Sequence, residues 1–142
     1  MSKVKIVLDT NVLLVSIPSR SKYHWIFQKL LSGSFDLLIT TEILLEYEEI
    51  LKRRYSPSVA ENVIRALLLL PNVVHQHVYF HWLLIEDDPD DNKFVDAYVA
   101  GNADLLVTND RHFSVLRQVH YPPIHIVSID MFRSMMHGDG CQ

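Results

Sequence analysis

A single α/β domain with a mainly parallel central sheet, covered by helices on both faces, is the fold class this sequence predicts. Three observations carry that expectation. Short apolar runs rich in β-branched residues alternate along the chain with longer segments of helical periodicity, the pattern of parallel strands joined by crossover helices. The 142 residues are close to half apolar, with only four Gly and six Pro; a chain of this length buries roughly two-thirds of the surface it exposes when unfolded. No linker, internal repeat or low-complexity segment divides it. The domain is expected over 1–135, with 136–142 as a fraying tail.

The elements follow in order. "KVKIVLD" (3–9) is a β-branched strand ending at an Asp, and "KYHWIFQKLLS" (22–32) is a helix that stops at Gly33. "FDLLIT" (35–40) is a strand feeding the helix "TEILLEYEEILKRR" (41–54), whose three closing cations suit the negative end of the helix dipole. "SVAENVIRALLLL" (58–70) is a helix between Pro57 and Pro71, and "NVVHQHV" (72–78) alternates as a strand does. A helix runs from Asn92 up to Gly101, followed by strands at "DLLVTND" (104–110) and "IHIVSI" (124–129). The end, "HGDGCQ", frays.

Bulk properties narrow the function. Cys141 is the single cysteine and forms no internal disulfide, which fits a reducing cytoplasm. The opening "MSKVKIVLDTNVLLVSIP" is interrupted by Asp9 and Asn11 and reads as a first strand rather than a signal peptide. No apolar run approaches the ~18 to 20 residues of a membrane span. With a net charge of −4, binding to nucleic acid requires a local basic patch or a bridging cation rather than an overall positive field.

In a parallel α/β sheet, ligands bind outside the carboxyl ends of the strands. Asp9 ends the first strand and Asp110 follows the strand at 104–110, whereas Asp104 lies at the opposite end. Within "EDDPDD" (86–91), Asp87 and Asp88 precede Pro89, which biases them to extended loop. At ~100° per residue, Phe94, Val95 and Tyr98 fall within roughly 60° of Asp91, Asp90 lies about 100° away, and Asp96 about 140° away. Asp91 is therefore the acid aimed inward; Asp87, Asp88 and Asp90 belong to solvated loop or cap. On helix 41–54, Glu46 and Glu48 flank the apolar face equally, and only height along the helix favours Glu46.

Asp9, Glu46 (or Glu48), Asp91 and Asp110 then meet at one edge. Each alone is ordinarily a cap or turn former; the functional reading rests on their convergence from separate regions of chain. Two unit charges ~4 Å apart repel by roughly 4 kcal/mol at an effective dielectric of ~20. Four therefore require a cation or raised pKa values. Oxygen-only donors favour Mg²⁺ or Mn²⁺, and such a site suits metal-assisted phosphodiester hydrolysis.

Asn11 caps or orients Asp9, and Thr108 either fixes a neighbouring carboxylate or faces solvent. His75, His77 and His81 lack the further ligand a zinc site needs. Lys52-Arg53-Arg54 reads as a helix terminus, leaving Arg20, Lys22 and Arg111 as candidates for nucleic-acid contact. Tyr23 and Trp25 either stack on bases or pack in the core. A phosphoacceptor receiver is ruled out by the single Asp ending the first strand and the absence of a Lys after a late strand.

"VLDTNVLL", "LLITTEILLEYEEILKRRY", "DPDDNKFVDAYVAGNADLLVTND" and "VSIDMF" occur in the order and spacing of PIN domains. The chain most resembles the bacterial branch assigned as toxin components of toxin–antitoxin systems, related to VapC-type toxins, over about residues 4 to 132. The resemblance implies a Rossmann-like, three-layer α/β/α fold and Mg²⁺- or Mn²⁺-dependent endoribonuclease activity. It implies Asp9, Glu46, Asp91 and Asp110 as the catalytic, metal-holding acids, deciding for Glu46 through the pair Glu46-Tyr47. Asp96 matches a position where relatives often carry an acid, which implies assistance through a water despite its angle, and Asn109 stands where the family's usual "VTGD" has Gly. An RNA substrate, a cognate antitoxin and a homodimer are further expectations. The alternative is a catalytically silent PIN-fold module that binds RNA or a partner.

Overall fold

The structure is a computed structural model and describes residues 3–85, 91–111, 113, 116 and 123–138. The loop or cap assignment of Asp87, Asp88 and Asp90, and the end of the chain from 139 onward, lie outside these residues.

Five strands form one sheet: β1 (Lys5–Leu8), β2 (Asp36–Ile39), β3 (Val73–His75), β4 (Leu105–Val107) and β5 (Ile126–Val127). Their order is β3-β2-β1-β4-β5, and every pairing is parallel. Among the described residues the accompanying helices are α1 (Thr10–Ser16), α2 (His24–Leu31), α3 (Thr41–Arg54), α4 (Pro57–Leu69), α5 (Asn92–Ala100) and α6 (Ile129–Gly138). Successive residues Ile6, Val7 and Leu8 have no accessible surface, so both faces of β1 are covered. Right-handed crossovers in this strand order put α1 to α4 on one face and α5 on the other. The α/β class with a parallel, doubly covered sheet is thus observed.

Local chemistry sets the element starts. Thr40 caps α3 by accepting from the Ile43 N–H (3.1 Å), and Ser56 caps α4 by accepting from the Val59 N–H (3.0 Å), with Pro57 at the first helical position. Gly101 ends α5 where a Cβ would lie 2.5 Å from Leu38 Cδ1, so a larger residue there would have to displace that buried side chain.

Two helices depart from expectation. α1 follows the first strand, which is expected to end at Asp9, where the sequence leads to no expected helix. Asp9, with its side chain accepting from the Asn11 N–H, turns the chain into a helix there instead. α6 carries helical structure through 136–138, which the expected tail included; its Phe132 is fully buried against Trp25 and Phe35, at 5.4 and 5.7 Å between ring centroids. Tertiary packing rather than local propensity holds this short helix.

Candidate active site

The strand order reverses beside β1: the chain winds outward through β2 and β3, then returns to β4 on the other side. The carboxyl ends of β1 and β4 therefore flank the crevice where such sheets bind ligands. Asp9 is the first residue beyond β1, and Asp110 follows β4 after a two-residue step.

An open cleft of about 420 Å³ at this point is lined by Asp9, Glu46, Asp91 and Asp110, together with Thr10, Asn11, Ile50, Arg53 and Arg54. The four acids singled out in the sequence are thus brought together by β1, α3, the start of α5 and β4. Asp104 lies at the far edge, where its Oδ2 accepts from the Lys5 N–H (2.8 Å).

Asp9 is 5% exposed. Its Oδ2 accepts from the Thr108 hydroxyl (2.7 Å) and its Oδ1 from the Asn11 N–H (3.4 Å). The Thr108 hydroxyl also accepts from the Asp110 N–H (2.9 Å), so one side chain orients both strand-end acids. Burial pushes the Asp9 carboxyl above the usual carboxylate range; the bonds from Thr108 and Asn11 oppose this, and the nearby charges of Asp110 and Glu46 add to it.

Glu46 is set by its neighbour. The buried Tyr47 hydroxyl donates to the Leu8 carbonyl (2.6 Å), pinning α3 to the end of β1. Burial, then the charges of Asp9 and Glu46, raise the Tyr47 pKa well above its ordinary value and keep it a neutral donor. Glu46 Oε1 accepts from Lys93 Nζ (2.6 Å), and Oε2 accepts from the Thr10 hydroxyl in a very short bond. Glu48, the other candidate by angle, does not line the cleft and lies 3.9 Å from Lys52 on the outer surface. Asp91 occupies the N-cap position of α5, but its side chain does not cap the helix; it is 8% exposed and lines the cleft.

Asp96 is placed elsewhere. It is 4% exposed, and its oxygens accept from the Trp82 N–H (3.0 Å) and bond His81 Nδ1 (2.8 Å). It borders a groove with His77, Tyr79, Phe80 and Trp82 rather than the acidic cleft. Asn109 Oδ1 accepts from the Ile129 N–H (3.0 Å), so the residue standing where the family has Gly ties the β4 turn to the start of α6. Trp25 packs on Phe132 and His137 (5.4 and 4.9 Å) and serves the core. Tyr23 borders a recess next to Asp9, Asn11, Asn109 and Asp110, with Lys22 Nζ 5.1 Å from its ring centroid.

Two cations, Arg53 and Arg54, line the cleft in addition to forming the expected helix terminus, and Lys93 stands beside it on the surface it shares with Glu46. The signal was present: with Glu46 at zero and ~100° per residue, Arg53 lies at about −20° and Arg54 at about 80° on the same helix face. Lys93 gives no such signal, being about 200° around the helix from Asp91; its long side chain reaches across to α3.

All four acids offer oxygen donors, and Asp9 is raised partly by its acidic neighbours, so donor type and charge both fit a hard divalent cation. Among the described residues no three His, Cys, Asp or Glu side chains are already gathered tightly enough to hold a metal ion.

An all-parallel sheet with this strand order and acids at its switch point defines a Rossmann-like domain with an acidic site. A PIN domain profile matches residues 5–112, and the chain belongs to the PIN domain family. Solved structures agree on the fold. VapBC2 from Rickettsia felis, bound to a DNA fragment from its promoter, is similar with a TM-score of 0.61 at 15% identity, covering 88% of this chain and 98% of that one. VapC20 of Mycobacterium tuberculosis, described as a sarcin–ricin loop cleaving toxin, has a TM-score of 0.59 at 18% identity, covering 77% and 92%. The PIN domain of T. brucei RRP44 has a TM-score of 0.55 at 10% identity, covering 99% and 84%. A search of curated protein sequences finds no significant match.

Proposed function

We propose that this protein is a Mg²⁺- or Mn²⁺-dependent endoribonuclease and the toxin component of a toxin–antitoxin pair. The observation that carries the reading is the convergence of Asp9, Glu46, Asp91 and Asp110 on one cleft at the sheet's switch point. Family membership and the likeness to VapC20, itself described as cleaving the sarcin–ricin loop, support the choice of RNA. The likeness to VapBC complexes supports an antitoxin partner. A cytoplasmic homodimer belongs to the same reading. No helix among the described residues is long and apolar enough to cross a membrane.

In this reading the four acids hold the ion directly or through water. When bound, the ion supplies Lewis-acid activation of the phosphodiester and of the attacking water. Thr108 keeps the Asp9 carboxylate turned into the cleft, and Arg53 and Arg54 receive the backbone phosphates. Those two arginines supply the local positive patch that a protein of net charge −4 requires.

The test is RNA cleavage by purified Asp9→Asn and Asp91→Asn proteins with Mg²⁺ or Mn²⁺. Cleavage is lost in both while circular dichroism is unchanged; full activity in either overturns the assignment. Calorimetric titration with Mn²⁺ separates the alternative, since a catalytically silent module binds no metal in the cleft.

A further inference from the structure

The two ends of the acidic cleft are built differently. Asp9 and Asp110 share Thr108 and border a common recess that Glu46 does not reach. Glu46 sits at the other end, on a surface it shares with Lys93. Both of its carboxylate oxygens are engaged, Oε1 by Lys93 Nζ at 2.6 Å and Oε2 by the Thr10 hydroxyl. The Lys93–Glu46 pair is largely withdrawn from solvent, at 12% and 24% side-chain exposure. It thus differs from the exposed ion pairs of the same helices, such as Arg53–Glu49 at 65% and 66%, which water and salt screen.

We infer that the cleft takes a single divalent ion, held at its Asp9–Asp110 end, and that the tethered ammonium of Lys93 is the cation of its Glu46 end. This rests on the metal-dependent reading above and deepens it: Glu46 meets the ion through water while remaining the partner of Lys93. An ammonium is a compact point charge with three donors, well suited to occupy a carboxylate where a hydrated divalent ion would otherwise sit. A second divalent ion at Glu46 has to displace a short, sheltered ion pair. The shelter of the pair from solvent adds to that cost.

The pair also accounts for the position of Lys93. It stands two residues beyond Asp91, on a helix whose first turn faces the cleft. Lys93 therefore links the element carrying one acid to the element carrying another, α5 to α3, before any ion arrives.

Counting bound Mn²⁺ by electron paramagnetic resonance and calorimetry on the full chain tests the inference, using wild type, Lys93→Met and Lys93→Arg. Wild type and Lys93→Arg bind one ion per chain, and Lys93→Met binds two, the second lost again in Lys93→Met/Glu46→Gln. Circular dichroism of the metal-free proteins verifies that each variant is folded. Two ions in wild type, or a single ion in folded Lys93→Met, overturn the inference while leaving the metal-dependent reading intact. No bound ion in wild type sinks both.

Discussion

Thr108 donates a 2.7 Å hydrogen bond to the Asp9 carboxylate across the seam between β4 and β1. The two residues are 99 positions apart in sequence, yet their bond aligns the first acid of the cleft with the turn that carries the last.

Thr108→Val is close to isosteric and removes this donor, together with the acceptor for the Asp110 N–H. The expected result is a fall in Mn²⁺ affinity of about tenfold or more, the range for residues that orient a ligand from behind. Stability falls by about 1 to 3 kcal/mol because buried polar groups lose partners. Calorimetric titration and urea denaturation measure the two effects; unaltered affinity means that the bond does not orient Asp9 for an ion.

Arg53→Ala and Arg54→Ala address substrate contact without touching the acids. RNA binding is measured in an Asp9→Asn background to prevent turnover. Each arginine that meets a phosphate reduces the slope of log affinity against log salt by about 0.7 for a single strand. Mn²⁺ affinity stays unchanged. An unaltered salt slope in both variants removes the arginines from the RNA path.

His81 predicts a pH dependence of stability. Its pKa is raised above 6.5, first by the hydrogen bond to Asp96, then by the Asp96 charge, with Glu42 adding to it. A histidine raised in the folded state contributes stability that is fully present below about pH 6.5 and lost as pH rises through its folded value. The difference in Tm between wild type and His81→Gln should therefore shrink from acidic to mildly alkaline pH. His81 is well exposed, so added salt should also shrink it. A difference that stays constant with pH places the protonated histidine elsewhere than on Asp96.

What the sequence disclosed follows the range of the forces involved. Strand runs and the helix 41–54 were legible because caps, the terminal cations and apolar periodicity all act locally. α1 was not, since the Asp9 cap and burial in the core decide for helix there. Asp9, Asp91 and Asp110 could be read from strand ends and helix angle. Glu46 remained tied with Glu48 by angle; the structure separates them through the Tyr47 bond to Leu8, a contact between residues 39 positions apart. Lys93 was invisible for the same reason: its partner Glu46 lies 47 positions away. Arg53 and Arg54 were legible and went unread, because a cationic helix end already accounted for them.

The placement of β4 against β1 also has a meaning in time. A growing chain that has reached the end of α4 carries Asp9 and Glu46 but has not yet made Asp91 or Asp110. Its central strand still lacks one neighbour until β4 is synthesised and pairs with it. The cleft is therefore completed only once β4 has paired with β1, and a chain whose synthesis stops short of Asp110 holds an incomplete set of acids.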